Sequence, residues 1–146
     1  MFRHLLLPTD GSQLSKAAIQ KGVQFAKSIN AKVTGLYVMP EFHAVAHQTE
    51  TMGDGEEFAR ECRAVADGFL SVIEEAARAA GVTCDSALVT SDYPYEAIIK
   101  GAEEKGCDLI MMASHGRKGL QGLTLGSETQ KVLTHCKIPV LVYRQA

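Results

Sequence analysis

The chain has 146 residues, close to the roughly 150 of one domain, which leaves no room for a second. Its 15 basic and 17 acidic side chains leave a net charge of −2 without any long run of like charge. That excludes the basic footprint of a nucleic-acid binder and gives no ground for adsorption to an acidic membrane. With 46% hydrophobic and 22% charged residues, the composition is that of a globular chain able to bury a core without disulfide or metal staples.

Phe2 to Leu7 is a short apolar run, which its length assigns to a buried strand ended by Pro8. Asp10-Gly11-Ser12 reads as a turn in which Ser12 caps the following helix. Leu14, Ala18, Gly22, Phe25 and Ile29 recur at three- and four-residue spacing, one face of a helix ending near Asn30. Val33 to Met39 is the next strand, closed by Pro40. Residues 41–55 have no period and read as a long surface loop with room for a helical turn. Phe58, Cys62, Val65, Phe69, Ile73, Ala76 and Ala80 mark the core stripe of a long helix stopped at Gly81.

The segment 82–89 shows the partial polar alternation of an edge strand. Pro94 suits the first turn of a helix whose buried face carries Ile98, Ile99 and Ala102 and which Gly106 ends. Leu109 to Ala113 is apolar throughout, as a central parallel strand is when helices cover both its faces. After a glycine-rich stretch come a helix from about Ser127 to Cys136, then Pro139, and a last strand from Val140 to Tyr143. Strands alternating with helices require right-handed crossovers and hence a parallel sheet. The expectation is one doubly wound α/β domain over residues 1–146, with helices on both faces of the sheet.

Cys62, Cys84, Cys107 and Cys136 are 22, 23 and 29 residues apart, with no CxxC and no zinc spacing, so reduced core thiols are expected. The longest apolar stretch is about five residues, against the ~20 that span a bilayer. Leu5-Leu6-Leu7 runs into Pro8 and is too short for a signal-peptide core. A soluble, cytoplasmic chain follows.

In sheets of this kind ligands bind beyond the carboxyl ends of the strands, where strand order reverses. Two segments carry candidate chemistry there: Pro8-Thr9-Asp10-Gly11-Ser12 after the first strand, and Ala113 to Ser127 after the fourth. Gly116, Gly119, Gly122 and Gly126, four of the 13 glycines, fall within 11 residues. Glycine lets the backbone approach a ligand, Gly126-Ser127 opens a helix whose N–H groups attract an anion, and Arg117 and Lys118 add positive charge. These features read as a phosphate cradle. They also suit a flexible connector with Ser127 as a helix cap, and the residues alone leave both readings open. No P-loop, GxGxxG or GxSxG pattern is present, and Asp10 lacks the acidic cluster of a receiver domain. His43 and His47, with Glu41 or Asp54, are spaced for a shared metal, but a solvated pair is the preferred reading. Tyr93 and Tyr95, at the ligand end of the sheet, read as packing residues.

Ala113-Ser-His-Gly116, nine residues, then Gly126-Ser127 resembles the nucleotide signature G-x2-G-x9-G-[ST] of universal stress proteins. The opening LLLPTDGS and closing CKIPVLVYR resemble that family's ends, so the likeness spans nearly the whole chain. The resemblance implies a sheet of order 3-2-1-4-5 and ATP, alone or with Mg, between strands 1 and 4. By position, Asp10 and the backbone of Pro8 and Thr9 would meet the adenosine, Val38 the adenine, and Ala113 the ribose. Gly116, Gly126 and Ser127 would hold phosphates, with His115 and Arg117 beside their path. Ala113 departs from the pattern, standing at the family's first glycine.

The resemblance also implies a homodimer paired along the last strand, Ile138 to Tyr143, whose nearly unbroken apolar run is independently suited to edge pairing. The function implied is a cytoplasmic, nucleotide-responsive stress switch and no fast enzyme, since a metal-held phosphate, a positioned nucleophile and charge stabilisers are not all in view. The rival readings are a nucleotide-free interaction module of the same family and a slow ATPase.

Overall fold

In the computed structural model of the chain, residues 1–41, 52–115 and 125–145 are described, those of 52–55 by their backbone alone. The elements are β1 (His4–Thr9), α1 (Gln13–Ser28), β2 (Lys32–Met39), α2 (Met52–Ala80), β3 (Cys84–Thr90), α3 (Pro94–Lys105), β4 (Leu109–Ala113), α4 (Ser127–His135) and β5 (Val140–Tyr143). The strands form one sheet of order β3-β2-β1-β4-β5 with every pairing parallel, the arrangement that strand–helix alternation and the family resemblance lead one to expect. All five residues of β4 are buried, because helices cover both faces. On one face α1 and α2 close a core around Leu5, Leu7, Ile19, Val33, Ile73 and Met111. On the other, Leu6, Leu36, Ile98, Ile110, Met112 and Val132 pack beneath α3 and α4.

Three expectations are corrected. Pro8 does not end the first strand, which runs on to Thr9. The Arg3 carbonyl accepts from Lys32 at the start of β2 and the His4 carbonyl from Asp108 just before β4, so even positions of β1 face β4. Pro8 therefore turns its missing N–H toward β4, where the ladder has already stopped, and no sheet bond is lost. Second, the reading of 41–55 as loop fails from Met52 onward, where the backbone is already helical; residues 42–51, with His43 and His47, lie outside the described residues.

Third, the buried stripe of α2 is Ala66, Leu70, Ile73 and Ala77, while Phe58 is 38% and Val65 53% exposed. Both stripes pass through Ile73 at three- and four-residue steps and diverge toward the amino end. Packing against α1 and the sheet selects the side bearing alanines, which allow close approach. Of the four thiols, all free, only Cys107 is fully buried; Cys62, Cys84 and Cys136 are half-buried.

The amino end of the sheet is held by a polar chain. His4 Nε2 lies 2.7 Å from Thr34 Oγ1, both residues buried. The Thr34 hydroxyl donates its single proton to Asp85, so His4 Nε2 must carry the hydrogen it shares with Thr34. Lys105 closes the chain on Asp85 at 3.4 Å. Burial and then the Lys32 ammonium hold the His4 imidazole below its usual range, against the pull of Asp85 and Asp108. Burial would raise the Asp85 carboxyl, but hydrogen bonds from Thr34 and Lys105 bring it below its ordinary value.

Candidate functional site at the carboxyl ends of β1 and β4

β1 stays paired with β2 through Thr9–Tyr37, and β4 with β5 through Ala113–Tyr143. Between β1 and β4 the ladder stops at Leu6–Ile110. The two chains part because they leave for opposite faces: β1 leads into α1, and β4 leads toward α4. A crevice therefore opens where strand order reverses, the place where open α/β sheets bind ligands.

The first wall is the turn after β1. Thr9 is buried, and its hydroxyl lies 3.1 Å from Ser15 Oγ and accepts the Gly11 N–H. What Thr9 can offer a ligand is its backbone. Asp10 Oδ1 accepts the Ser12 N–H at 2.9 Å, and Ser12 Oγ accepts the Ser15 N–H at 3.1 Å, the cap expected from the sequence. Gly11 has φ +79°, and a Cβ there would meet the Phe69 ring at 2.4 Å, so glycine is required twice over. Phe69 in turn packs edge-on against Tyr37, ring centroids 5.2 Å apart. Pro8 lies one residue nearer the core, and Val38 borders the same end of the sheet on the face covered by α3 and α4.

The second wall is built around α4. The Ala113 carbonyl accepts the Thr129 hydroxyl at 3.0 Å, tying the end of β4 to the helix. The Gly126 N–H donates to the Ser114 carbonyl at 2.7 Å, which ties the residue ahead of α4 to the one that follows β4. A Cβ on Gly126 would stand 2.8 Å from His115 Cα, a backbone atom that cannot rotate aside. Ser114 is buried, and its hydroxyl lies 3.2 Å from Nδ1 of the half-buried His115.

Gly126 is the N-cap of α4 and provides no side-chain cap; Ser127, at the first helical position, is exposed. The first amides of α1 thus meet the chain's own oxygens, while α4 presents a helix start without a capping side chain, the arrangement that favours an anion.

Of the residues singled out from sequence, the topology brings Pro8, Thr9, Asp10, Val38, Ala113, His115, Gly126 and Ser127 to one end of the sheet, on either side of the crevice. Gly116 and Arg117 lie outside the described residues. Sequence reasoning missed Thr129 and Glu128, and it read Tyr95 only as the packing residue it is: the Tyr95 N–H donates to Glu128 at 2.9 Å, and no local pattern announces a bond across 33 residues. Tyr93, read as packing, is 62% exposed.

A separate open groove of about 320 Å³ runs between α3 and α4, lined by Tyr95, Ile99 and His135 among others, away from the β1–β4 crevice. Among the described residues no cluster of three or more His, Cys, Asp or Glu could hold a metal, and no helix is long and apolar enough to cross a membrane.

The universal stress protein family model matches residues 1–144. Universal stress protein YxiE of Bacillus subtilis is 33% identical over 151 residues, covering 99% of this chain and 100% of its own. Universal stress protein MJ0577 of Methanocaldococcus jannaschii is 30% identical over 158 residues, covering 99% and 96%. The solved structure of MJ0577 superposes with a TM-score of 0.84 at 27% identity, over 100% of this chain and 98% of that one. A universal stress protein from Archaeoglobus fulgidus solved in complex with dAMP shares the fold, with a TM-score of 0.68 at 17% identity over 97% of each chain. The sheet order, the match along nearly the full length and these relatives together place the chain in the universal stress protein family.

Proposed function

We propose that this chain binds ATP, alone or with Mg, in the crevice between the carboxyl ends of β1 and β4, and works as a nucleotide-responsive homodimer in the cytoplasm. The observation that carries this reading is the difference between the two helix starts. α1 is closed by Asp10 and Ser12, whereas α4 begins at a glycine that abuts backbone and adds no capping side chain. A polyanion is stabilised at such an end by main-chain amides and the helix dipole. Asp10 and the Pro8–Thr9 backbone would meet the adenosine, Val38 the adenine, and Ala113 the ribose. Gly126 and Ser127 would take phosphate, with His115 alongside; Gly116 and Arg117 join them by sequence position. Support also comes from the family's cAMP-bound and dAMP-bound members of this fold.

The dimer would pair along β5. It is a sheet edge, Leu141 is 40% exposed, and Ile138, Val140, Val142 and Tyr143 are only partly buried. The site and that edge are joined directly, since the Ser114 N–H donates to the Tyr143 carbonyl at 2.9 Å. Ligand that shifts residues 113–115 therefore acts on β5, which is how occupancy would bias the dimer. The reading is of a binding protein. Among the described residues beside the crevice, the Asp10 carboxylate accepts the Ser12 N–H and that of Glu128 the Tyr95 N–H, an arrangement that favours holding phosphate over rapid transfer.

Mass spectrometry of freshly purified protein should find co-purified adenine nucleotide, and calorimetry with ATP should give heat. No heat and no thermal shift at millimolar ATP rejects the proposal. The nucleotide-free module, which Ala113 at the family's first glycine position favours, then takes its place.

A further inference from the structure

Glu128 stands in the first turn of α4, where a carboxylate ordinarily lies over its own helix's unpaired N–H groups. Its Oε2 instead accepts the Tyr95 N–H at 2.9 Å. The start of α3 needs that acceptor: Tyr93 supplies no side-chain cap, and Pro94 at the first helical position has no N–H. One carboxylate thus caps a foreign helix in place of its own. Tyr95 is gripped further along α4 as well. Lys131 pairs with Glu128 at 3.4 Å and stands 5.5 Å from the centre of the Tyr95 ring. His135, a turn beyond, lies 5.4 Å from the same ring. Positions 128, 131 and 135 share one face of α4, so three residues of that face meet one tyrosine of α3.

Resting on the ATP reading above, we infer that Glu128 is the positioning residue for the phosphate end of the site: it docks the first turn of α4 against α3 and keeps its own charge off the phosphate path. The Ser127 amide belongs to that same turn, while the Gly126 N–H just ahead of it is held by the Ser114 carbonyl. Whatever fraction of the time the turn is undocked is lost from the affinity. Linkage works both ways, so ATP must in return strengthen the Tyr95–Glu128 bond.

Glu128→Ala and Glu128→Gln, each titrated with ATP by calorimetry and followed by amide exchange at Tyr95, test this. The alanine variant should bind ATP about fivefold more weakly, the factor expected when a charge-assisted cap that holds the docked turn is lost. Its Tyr95 amide should exchange faster. Glutamine keeps an oxygen that accepts the same N–H, so that variant should bind at least as tightly as the unaltered chain. In the unaltered chain ATP should slow Tyr95 exchange. Equal ATP affinities for the two variants, whether unchanged or raised together by removal of a like charge, overturn the positioning role. If the unaltered chain binds no ATP, the reading of the site falls. Tyr95 exchange then still decides the cap, and unchanged exchange in Glu128→Ala overturns that too.

Discussion

Gly126→Ala isolates the contact on which the second wall of the crevice depends. The backbone there, φ −62° and ψ 154°, suits alanine, so no conformational strain arises. Loss of unfolded-state freedom even favours alanine by about 0.4–1 kcal/mol. Against that, the new methyl would lie 2.8 Å from His115 Cα and 3.1 Å from His115 Cβ, too close for any ordinary carbon contact. Relieving such overpacking costs about 1–3 kcal/mol. The movement that relieves it strains the 2.7 Å bond from Gly126 to the Ser114 carbonyl, whose loss adds about 1 kcal/mol. The sum is a destabilisation of about 2 kcal/mol, and for a domain of this size that lowers Tm by about 4–8 °C.

ATP affinity should fall with it by about tenfold or more, because the start of α4 moves with Gly126 and carries the Ser127 amide that would face phosphate. Gly68→Ala is the control: it lies inside α2 with nothing within 4 Å of the added carbon, and should stabilise by about 0.5–1 kcal/mol. Thermal melts and calorimetry on both variants decide the matter. A Gly126→Ala protein that melts with the unaltered chain and binds ATP as well refutes the close-approach argument.

The folded chain holds the His4 imidazole below its ordinary pKa, through burial first and Lys32 second. Its contribution to stability is therefore complete above pH 6.5 and is lost as pH falls through the folded value. Between about pH 8 and about pH 5 the unaltered chain should lose more stability in urea titrations than His4→Gln; equal losses would show that the Thr34–Asp85 chain does not sense this proton. In β5, Tyr143 turns its carbonyl to Ser114, so Val140 and Val142 face the open edge. Val142→Pro then removes an outward N–H without touching the β4 ladder, and should convert a dimer into a folded monomer in sedimentation analysis. A dimer that survives refutes pairing along β5. Burial, then Asp85, pushes the Cys84 thiol up to about 11, and burial does the same for Cys107. A thiol reagent at neutral pH should label Cys62 and Cys136 well before either, and rapid labelling of Cys107 would contradict its burial.

Much of this architecture is legible in one dimension. The apolar run Leu109 to Ala113 has no polar face, and only a strand covered on both sides can use it; all five residues are buried. Pro94 and Gly106 bound α3 where their backbone chemistry says they should, Gly106 with φ +73°. The candidate site is half legible: glycine and serine ahead of a helix advertise an anion site, but the reason Gly126 admits no side chain is the passage of His115 beside it. Periodicity failed on α2, where Phe58 and Val65 fit a helical stripe as well as Ala66 and Leu70 do, and only the neighbouring α1 and sheet choose between them.

Local patterning thus determined which segments are strands and helices and, through their alternation, that the sheet is parallel, because both depend on neighbours within a few positions. Tertiary structure alone decided where β1 and β4 part, why Pro8 costs no sheet bond, and that Glu128 serves a helix 33 residues away. Those outcomes turn on which groups meet across the chain, and no spacing along it records the direction in which a strand's next helix departs.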